Sequence, residues 1–185
     1  MTDRPRIVLL NGVGSAGKGS IAKALQAIAQ TPLLHVEMDH FLAMMPERYF
    51  GDPAGMVLET IEMGGKPAII THTGPVCEKT LAGMRRAIAA MAEAGNELIV
   101  DEVMEADAAA DYRALLEPYR LHMVKVFCPL DVLEAREKAR GDREIGLARR
   151  QFDRVHKDID YDFEVDTGAA TPMQCAERIR DAFGL

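Results

Sequence analysis

The sequence has few of the features that mark secreted, membrane-bound or metal-rich proteins. It contains no tryptophan and only three cysteines, Cys77, Cys128 and Cys175, whose wide spacing gives neither an even disulfide framework nor a set of metal ligands. No apolar run approaches the ~20 residues that span a bilayer, and residues 1–6 lack the apolar stretch of a signal peptide. We therefore expect reduced cysteines and a cytoplasmic protein that does not act at a membrane.

Positive charge is also scarce. The formal net charge is −7 and the pI is near 5.3, whereas binding to a nucleic-acid backbone relies on a strongly basic surface. A small-molecule partner is the simpler expectation, and nucleic acid is not expected. The length of 185 residues and the 48% hydrophobic content suit a single domain, 1–185, with one core. Exposed methionines and a helix predicted from Pro75 could form a homo-oligomer contact, but no pattern requires one.

The most informative segment is a glycine-rich loop. It follows an apolar run at 7–10, precedes a helical pattern at 21–29, and has the spacing G-x-x-x-x-G-K from Gly12 to Lys18. Such a loop aims backbone N–H groups at a polyphosphate, with Lys18 reaching the outer phosphates. An ordinary glycine-rich turn is the alternative. The nucleotide-binding residues predicted here are Gly12, Val13, Gly14, Ser15, Ala16, Gly17, Lys18, Gly19 and Ser20.

Strand and helix patterns alternate along the whole chain. This alternation predicts an α/β fold of the P-loop NTPase type, with three α/β/α layers around a mostly parallel five-stranded sheet. Residues 43–73 are rich in Pro and Gly and predict an irregular insertion around two short extended pieces, 56–61 and 68–72. The predicted strands cover 7–10, 33–38, 98–103, 123–127 and 163–165; the predicted helices cover 21–29, 75–94, 108–117, 129–140 and 171–183.

Polar residues at the carboxyl ends of parallel strands are the first candidates for chemistry. Asp39 follows the second strand and is the candidate base for an acceptor hydroxyl, although a helix cap is the alternative. Asp101 ends an apolar strand as a Walker B carboxylate does and is a candidate Mg²⁺ ligand, while Glu102 should point the other way. The residue after a P-loop lysine is usually Ser or Thr. Here it is Gly19, so Ser20 is the second candidate metal ligand.

A cluster of arginines follows the fourth strand. Arg136 and Arg140 share a helix face, and Arg143 follows the break at Gly141. Guanidinium groups on a mobile, lid-like segment at about 136–156 can stabilise a transferring phosphoryl group. We assign Arg140 and Arg143 to catalysis and Arg136 to nucleotide binding, with a solvated helix face as the alternative. Thr167, in the loop after the fifth strand, is a further nucleotide-binding candidate.

Four stretches resemble the chloramphenicol phosphotransferase-like family of P-loop small-molecule kinases. They are the Gly12–Lys18 loop with Leu10 and Asn11, Asp39 after the second strand, Gly74-Pro75 leading to Val100-Asp101, and Ala139-Arg140-Gly141-Asp142-Arg143 followed by Val155-His156 and the 161–167 string. The resemblance implies a nucleotide-kinase-like core, transfer of the γ-phosphoryl group of ATP to a hydroxyl of a small molecule, and Asp39 as the general base. The 43–73 segment differs from that of the family's drug kinase, so the acceptor need not be chloramphenicol.

The leading hypothesis is thus an ATP- and Mg²⁺-dependent O-phosphotransferase, with an antibiotic among the candidate acceptors. Lys18 and the loop amides would hold the outer phosphates, and Asp39 would deprotonate the acceptor. Two alternatives stay open at this point. One is a kinase of a metabolite, nucleotide or activated sugar on the same core. The other is a nucleotide-binding regulator that does not catalyse transfer.

Overall fold

The computed structural model describes residues 4–141 and 145–185. Within them, five parallel strands form the central sheet in the order β2-β5-β1-β6-β7, and two antiparallel strands, β3 and β4, form a separate hairpin. The strands are β1 (Arg6–Asn11), β2 (Leu33–Glu37), β3 (Met56–Met63), β4 (Lys66–Thr73), β5 (Glu97–Glu102), β6 (Arg120–Phe127) and β7 (Phe163–Asp166). The helices are α1 (Lys18–Ile28), α2 (Met38–Leu42), α3 (Pro75–Glu93), α4 (Ala106–Leu115), α5 (Leu130–Arg140), α6 (Leu147–Phe152) and α7 (Pro172–Phe183), with a 3₁₀ turn at Glu47–Tyr49.

Both faces of the sheet are covered by helices, which confirms the predicted three-layer fold. In β1, the residues Ile7 to Leu10 are fully buried, because successive side chains point to opposite faces and each face has a helical layer. Val8 and Leu10 lie in the core that includes α1 and α7, and Ile7 and Leu9 lie in the core that includes α3 and α4. A continuous apolar strand is the expected pattern for such a doubly covered sheet.

The helix ends follow the local sequence signals. Thr171 and Gln174 form the predicted capping box at the start of α7, in which each side chain bonds the backbone N–H of the other residue. Helix α3 begins at Pro75 as predicted, and α5 ends at Arg140, directly before Gly141, which adopts the left-handed φ of 68°. These signals therefore place the starts of α3 and α7 and the end of α5 to within one residue.

The two extended pieces predicted at 56–61 and 68–72 are confirmed as strands, but the prediction that they belong to an irregular segment was wrong for 56–73. This segment is a regular hairpin whose strands of eight residues pair from Met56↔Thr73 to Met63↔Lys66. Gly64 and Gly65 join them with φ angles of 62° and 75°, as a two-residue hairpin turn requires at both positions. The two glycines form the turn of the hairpin and do not interrupt it.

Helix α6 and the start of α2 also differ from the predictions. The charged stretch after Gly141 was not predicted to be helical, yet it contains α6. The second strand ends at Glu37, so Asp39 lies in the first turn of α2 and not at a strand end. Across 4–141 and 145–185, no helix is both long and apolar enough to cross a membrane.

Candidate active site

The glycine-rich loop connects β1 to α1 at the carboxyl end of the sheet. Gly12 packs so closely on β6 that a Cβ there would lie 2.6 Å from the carbonyl oxygen of Val126. Gly17 has a φ of 89° and immediately precedes α1, and Ser15 also has a positive φ of 66°. Only glycine fits at position 12 without displacing β6, and only glycine adopts the φ of position 17 without strain. The loop therefore has the strand–loop–helix setting of a phosphate-binding P-loop.

Lys18, the first residue of α1, is buried and folds back over the loop. Its Nζ donates to the carbonyl oxygens of Gly12 at 2.9 Å and Val13 at 3.2 Å, and lies 3.6 Å from Oδ1 of Asp101. These contacts place a buried cation at the mouth of the loop, the position at which the lysine of P-loop proteins reaches outer phosphates. The structure thus brings together Lys18 and Asp101, which sequence reasoning assigned to phosphate and metal.

Acidic side chains line the β5 side of Lys18. Burial raises the pKa of the Asp101 carboxyl, an effect that Lys18 partly reverses and that the nearby charges of Glu37 and Asp39 reinforce. Glu37 is paired with Asp101 in the β2–β5 register, so α2 carries Asp39 to this edge of the site. The N-cap residue of α2 is Glu37, and Asp39 lies in the first turn of the helix.

Glu102 lies on the opposite face of β5, as predicted. It is 3% exposed, and burial raises its pKa to about 7, with Arg85 and Lys18 acting in the opposite direction. One of its carboxyl oxygens is buried without a hydrogen-bond partner among the described residues, as is the hydroxyl of Tyr112. Glu102 is therefore a buried acid behind the site, whose charge state is set by its surroundings.

The two candidate metal ligands occupy different positions. A Cβ on Gly19 would lie 3.4 Å from Oδ2 of Asp101, so position 19 faces the Asp101 carboxylate. Ser20 instead lines a cavity of about 470 Å³ on the α5 side of the loop. No group of three or more His, Cys, Asp or Glu side chains within 4–141 and 145–185 could hold a metal.

Arg136 and Thr167 close the other end of the loop. Arg136 donates from Nη1 to Oγ1 of Thr167 at 3.0 Å and from Nη2 to its carbonyl oxygen at 2.7 Å. Thr167 in turn donates to the carbonyl oxygen of Ala16 at 2.8 Å. The 470 Å³ cavity lies against these groups; its lining comprises Ser15, Gly17, Ser20, Arg136, Ala139, Arg140, Thr167 and Pro172. Arg140 is exposed at its edge, and Arg143 lies outside the described residues.

A buried polar network that sequence reasoning missed supports the loop. Asn11, fully buried at the end of β1, donates to the carbonyl oxygens of Met104 and Val155 and to the hydroxyl of Tyr161. Its own Oδ1 accepts from the N–H of Met104 at 2.9 Å. An amide in an otherwise apolar strand was the available signal, because a buried amide needs partners for all its polar atoms.

His156 belongs to the same network. Its Nδ1 lies 2.9 Å from the hydroxyl of Tyr161. Burial lowers the pKa of His156 to about 4, with a further contribution from Lys125, so the imidazole is neutral at pH 7. This environment supports a structural role for His156.

A second missed contact joins α6 to the loop. The backbone N–H of Gly14 donates to Oε1 of Gln151 at 2.8 Å, across 137 residues of sequence. Nothing in the sequence around Gln151 marked it, because it lies in a charged stretch whose helix is held by tertiary contacts. The segment at about 136–156 that was predicted to be lid-like therefore contains a residue, Gln151, that contacts the P-loop directly.

A parallel sheet with a P-loop after β1, a carboxylate at the end of β5 and an arginine in the helix after β6 defines the fold as that of P-loop kinases. The chain belongs to the family described as chloramphenicol phosphotransferase-like protein, whose model matches residues 5–184. A relative from Mycobacterium tuberculosis (strain H37Rv), provisionally named an O-phosphotransferase, is 30% identical over 190 residues, covering 96% of this chain and 82% of that protein.

Solved structures support the same fold. The tunicamycin resistance protein of Deinococcus radiodurans aligns with a TM-score of 0.67 at 17% identity, over 98% of this chain and 97% of that one. The APS kinase of Mycobacterium tuberculosis, solved in complex with AMPPNP and APS, aligns with a TM-score of 0.67 at 14% identity, over 99% of each chain. At these identities the likeness concerns the fold.

Proposed function

We propose that the protein is an ATP- and Mg²⁺-dependent O-phosphotransferase that moves the γ-phosphoryl group to a hydroxyl of a small molecule. The observation that carries the proposal is the position of Lys18. Its buried ammonium group is held by two loop carbonyls and lies 3.6 Å from the Asp101 carboxylate. A cation buried at the mouth of a P-loop is placed to neutralise the charge of outer phosphates.

The nucleotide would lie along the loop, with its base and ribose at the Arg136 and Thr167 end and its outer phosphates at Lys18. The 470 Å³ cavity, whose lining includes Arg136 and Thr167, would take the ribose and base, and the loop amides and Lys18 would hold the β- and γ-phosphates. Arg136 is fixed by its bonds to Thr167, so its guanidinium is preorganised. Arg140 at the cavity edge, together with Arg143, would add positive charge as phosphoryl transfer proceeds.

Asp39 would serve as the base. It is exposed in the first turn of α2, close enough to Asp101 and Glu102 for its charge to raise their pKa values. In the transfer, the acceptor oxygen forms a bond to the γ-phosphorus and the bond from that phosphorus to the β–γ bridging oxygen breaks. The hydroxyl proton passes to Asp39, and ADP leaves with the electron pair of the broken bond.

The residues present fit a nucleotide-bound magnesium ion. Mg²⁺ commonly keeps several waters and uses one or two carboxylates besides the phosphate oxygens, so a large protein cage is not needed. Asp101 supplies a carboxylate beside Lys18, and the space left by Gly19 adjoins its Oδ2 atom. Asp101 would hold the ion directly or through water, and the ion would neutralise charge on the phosphates.

The experiment is a mass-spectrometric screen of the protein with Mg-ATP against a panel of hydroxyl compounds, including chloramphenicol, sugars, nucleosides and aminocyclitols. Lys18→Met is run beside the native protein. A phosphorylated product that forms with the native protein and not with Lys18→Met supports the proposal and identifies the acceptor class. Measurable ATP binding with no product from any acceptor would contradict it and favour a nucleotide-binding regulator.

A further inference from the structure

Two carboxylates lie side by side where β2 and β5 end. Glu37 is the last residue of β2, and it is the register partner of Asp101 in the parallel β2–β5 pair. In the same register His35 pairs with Ile99, which lies in the core that includes α1. Because side chains alternate along a strand, Glu37 and Asp101 point to the same face of the sheet as Ile99, toward α1.

That face of the sheet meets the first turn of α1 beside the P-loop. A Cβ on Gly19 would lie 3.4 Å from Oδ2 of Asp101, and Nζ of Lys18 lies 3.6 Å from Oδ1 of the same carboxylate. In P-loop proteins the residue after the lysine is usually a serine or threonine whose hydroxyl binds Mg²⁺. Gly19 supplies no hydroxyl, whereas Glu37 places a second carboxylate on the strand next to Asp101.

The side chain of Glu37 does not cap the helix that follows it. Glu37 is the N-cap residue of α2, yet its carboxylate makes no capping hydrogen bond. Its Oε1 atom lies 3.2 Å from Nδ1 of His35, and burial lowers the pKa of His35, so the imidazole is neutral at pH 7. The Nε2 atom of His35 is buried without a hydrogen-bond partner in 4–141 or 145–185. With 29% of its side chain exposed, Glu37 is held beside a neutral imidazole and is accessible to a cation from solvent.

The charges at this edge of the site favour a bound cation. Burial raises the pKa of Asp101, and the negative charges of Glu37 and Asp39 raise it further, whereas Lys18 lowers it. A divalent cation would reduce the repulsion among these carboxylates. In nucleotide sites Mg²⁺ takes one or two carboxylates besides phosphate oxygens and waters. Two carboxylates on neighbouring strands, together with the phosphates of a nucleotide, match that requirement.

We infer that Glu37 binds the nucleotide-bound magnesium ion together with Asp101, directly or through a water molecule. This role of Glu37 rests on the proposed function, because it requires Mg²⁺ on a nucleotide in the P-loop. It assigns the ion to paired carboxylates of β2 and β5, where other P-loop proteins use a hydroxyl of the helix after the loop. It also accounts for a glycine directly after the P-loop lysine.

Two variants separate the charge of Glu37 from its packing. Glu37→Gln keeps the size of the side chain and removes the charge, and Glu37→Asp keeps a carboxylate on a shorter side chain. Glu117→Gln, at an exposed glutamate between α4 and β6, is the matched control. The affinity for a non-hydrolysable ATP analogue is measured by calorimetry at a series of Mg²⁺ concentrations and in EDTA, with thermal unfolding as the check on folding.

We expect the Mg²⁺ concentration required for half-maximal binding of the analogue to rise about tenfold to a hundredfold in Glu37→Gln. Glu37→Asp should lie between this variant and the native protein, and Glu117→Gln should match the native protein. In EDTA, Glu37→Gln should bind the analogue at least as tightly as native, because one negative charge near the phosphates is gone. An unchanged Mg²⁺ requirement in Glu37→Gln, or an equal loss of affinity with Mg²⁺ and in EDTA, would overturn the inference.

The same titrations distinguish failure of the inference from failure of the proposed function. A native protein whose affinity for the analogue rises with Mg²⁺, with Glu37→Gln showing the same Mg²⁺ requirement, contradicts only the role of Glu37. A native protein that binds the analogue neither with Mg²⁺ nor in EDTA contradicts the proposed function, and the inference with it. A native Mg²⁺ requirement in Glu37→Gln with a raised KM for the acceptor would place Glu37 at the acceptor and would also overturn the inference.

Discussion

The ammonium group of Lys18 lies 3.6 Å from the carboxylate of Asp101, and both side chains are largely shielded from water. The lysine comes from the first turn of α1, and the aspartate comes from β5, 83 residues later by their numbers. Their opposite charges lower the cost of burying either one, since an isolated buried ion would shift its pKa toward the neutral form. Lys18 is thus held at the loop before any ligand binds.

Lys18→Met removes this cation while keeping an unbranched side chain of similar length. We expect phosphoryl transfer to fall by about a hundredfold to a thousandfold, because a preorganised group that neutralises transition-state charge contributes on that scale. Lys23→Met, at an exposed position of α1, is the control and should retain native activity. Steady-state kinetics with Mg-ATP would check this, and a Lys18→Met enzyme with native turnover would exclude Lys18 from catalysis.

Asp39→Asn tests the assignment of the base. The amide keeps the size of the side chain but cannot accept a proton, so we expect transfer to fall by about a hundredfold to ten-thousandfold, with ATP affinity within about twofold of native. Asp107→Asn, an exposed aspartate in the first turn of α4, is the control. Activity and calorimetric ATP binding are measured together, and full activity in Asp39→Asn would assign the proton transfer elsewhere.

Gly19→Ser tests how magnesium is held. A Cβ at this position would lie 3.4 Å from Oδ2 of Asp101, so a serine hydroxyl would enter the space where P-loop proteins commonly ligate Mg²⁺. We expect the Mg²⁺ concentration required for half-maximal ATP binding to fall severalfold. Gly83→Ser, in α3 with no atom within 4 Å of the added Cβ, is the control. An unchanged Mg²⁺ requirement would argue that the ion binds away from Asp101.

Glu102→Gln tests the buried carboxyl through the pH dependence of stability. The folded-state pKa of Glu102 is raised to about 7 from 4.5, so the folded protein binds the extra proton between these values. The free energy of unfolding of the native protein therefore decreases as the pH rises from about 4.5 to 7, because the buried Glu102 carboxyl must ionise. Relative to native, Glu102→Gln should be more stable by about 3 kcal/mol at pH 8 and nearly equal at pH 4.5.

Chemical denaturation at a series of pH values would measure this difference. Glu93→Gln, at an exposed position at the end of α3, is the matched control for the substitution itself. His156 gives the opposite pH dependence of stability, because its lowered pKa makes the folded state less stable as the pH falls from 6.5 toward 4. This effect is the same in the native protein and in both variants. A constant difference between Glu102→Gln and native across this range would show that Glu102 does not titrate there.

Local sequence signals were sufficient where an element depends on its own residues. The five parallel strands were predicted because each is a short apolar run between turn residues, and α7 because Thr171 and Gln174 form its capping box with Pro172 at the first helical position. The β3–β4 hairpin was only half predicted. Its glycine pair was interpreted as a break between two extended pieces. The two glycines are recognised as a hairpin turn only when the strands are seen to pair, and this pairing joins residues up to 17 positions apart by their numbers, from Met56 to Thr73.

The sequence by itself determined the P-loop, since the glycines, Lys18 and the flanking strand and helix are consecutive and act through local backbone geometry. It also indicated the family, through motifs spread over the chain. Only the tertiary structure placed Asn11 at the centre of a buried network, Glu137 at the start of α6 and Gln151 on the P-loop. The role of each of these polar side chains depends on its hydrogen-bond partners, which come from distant segments of the chain. Those segments meet only when the core is formed.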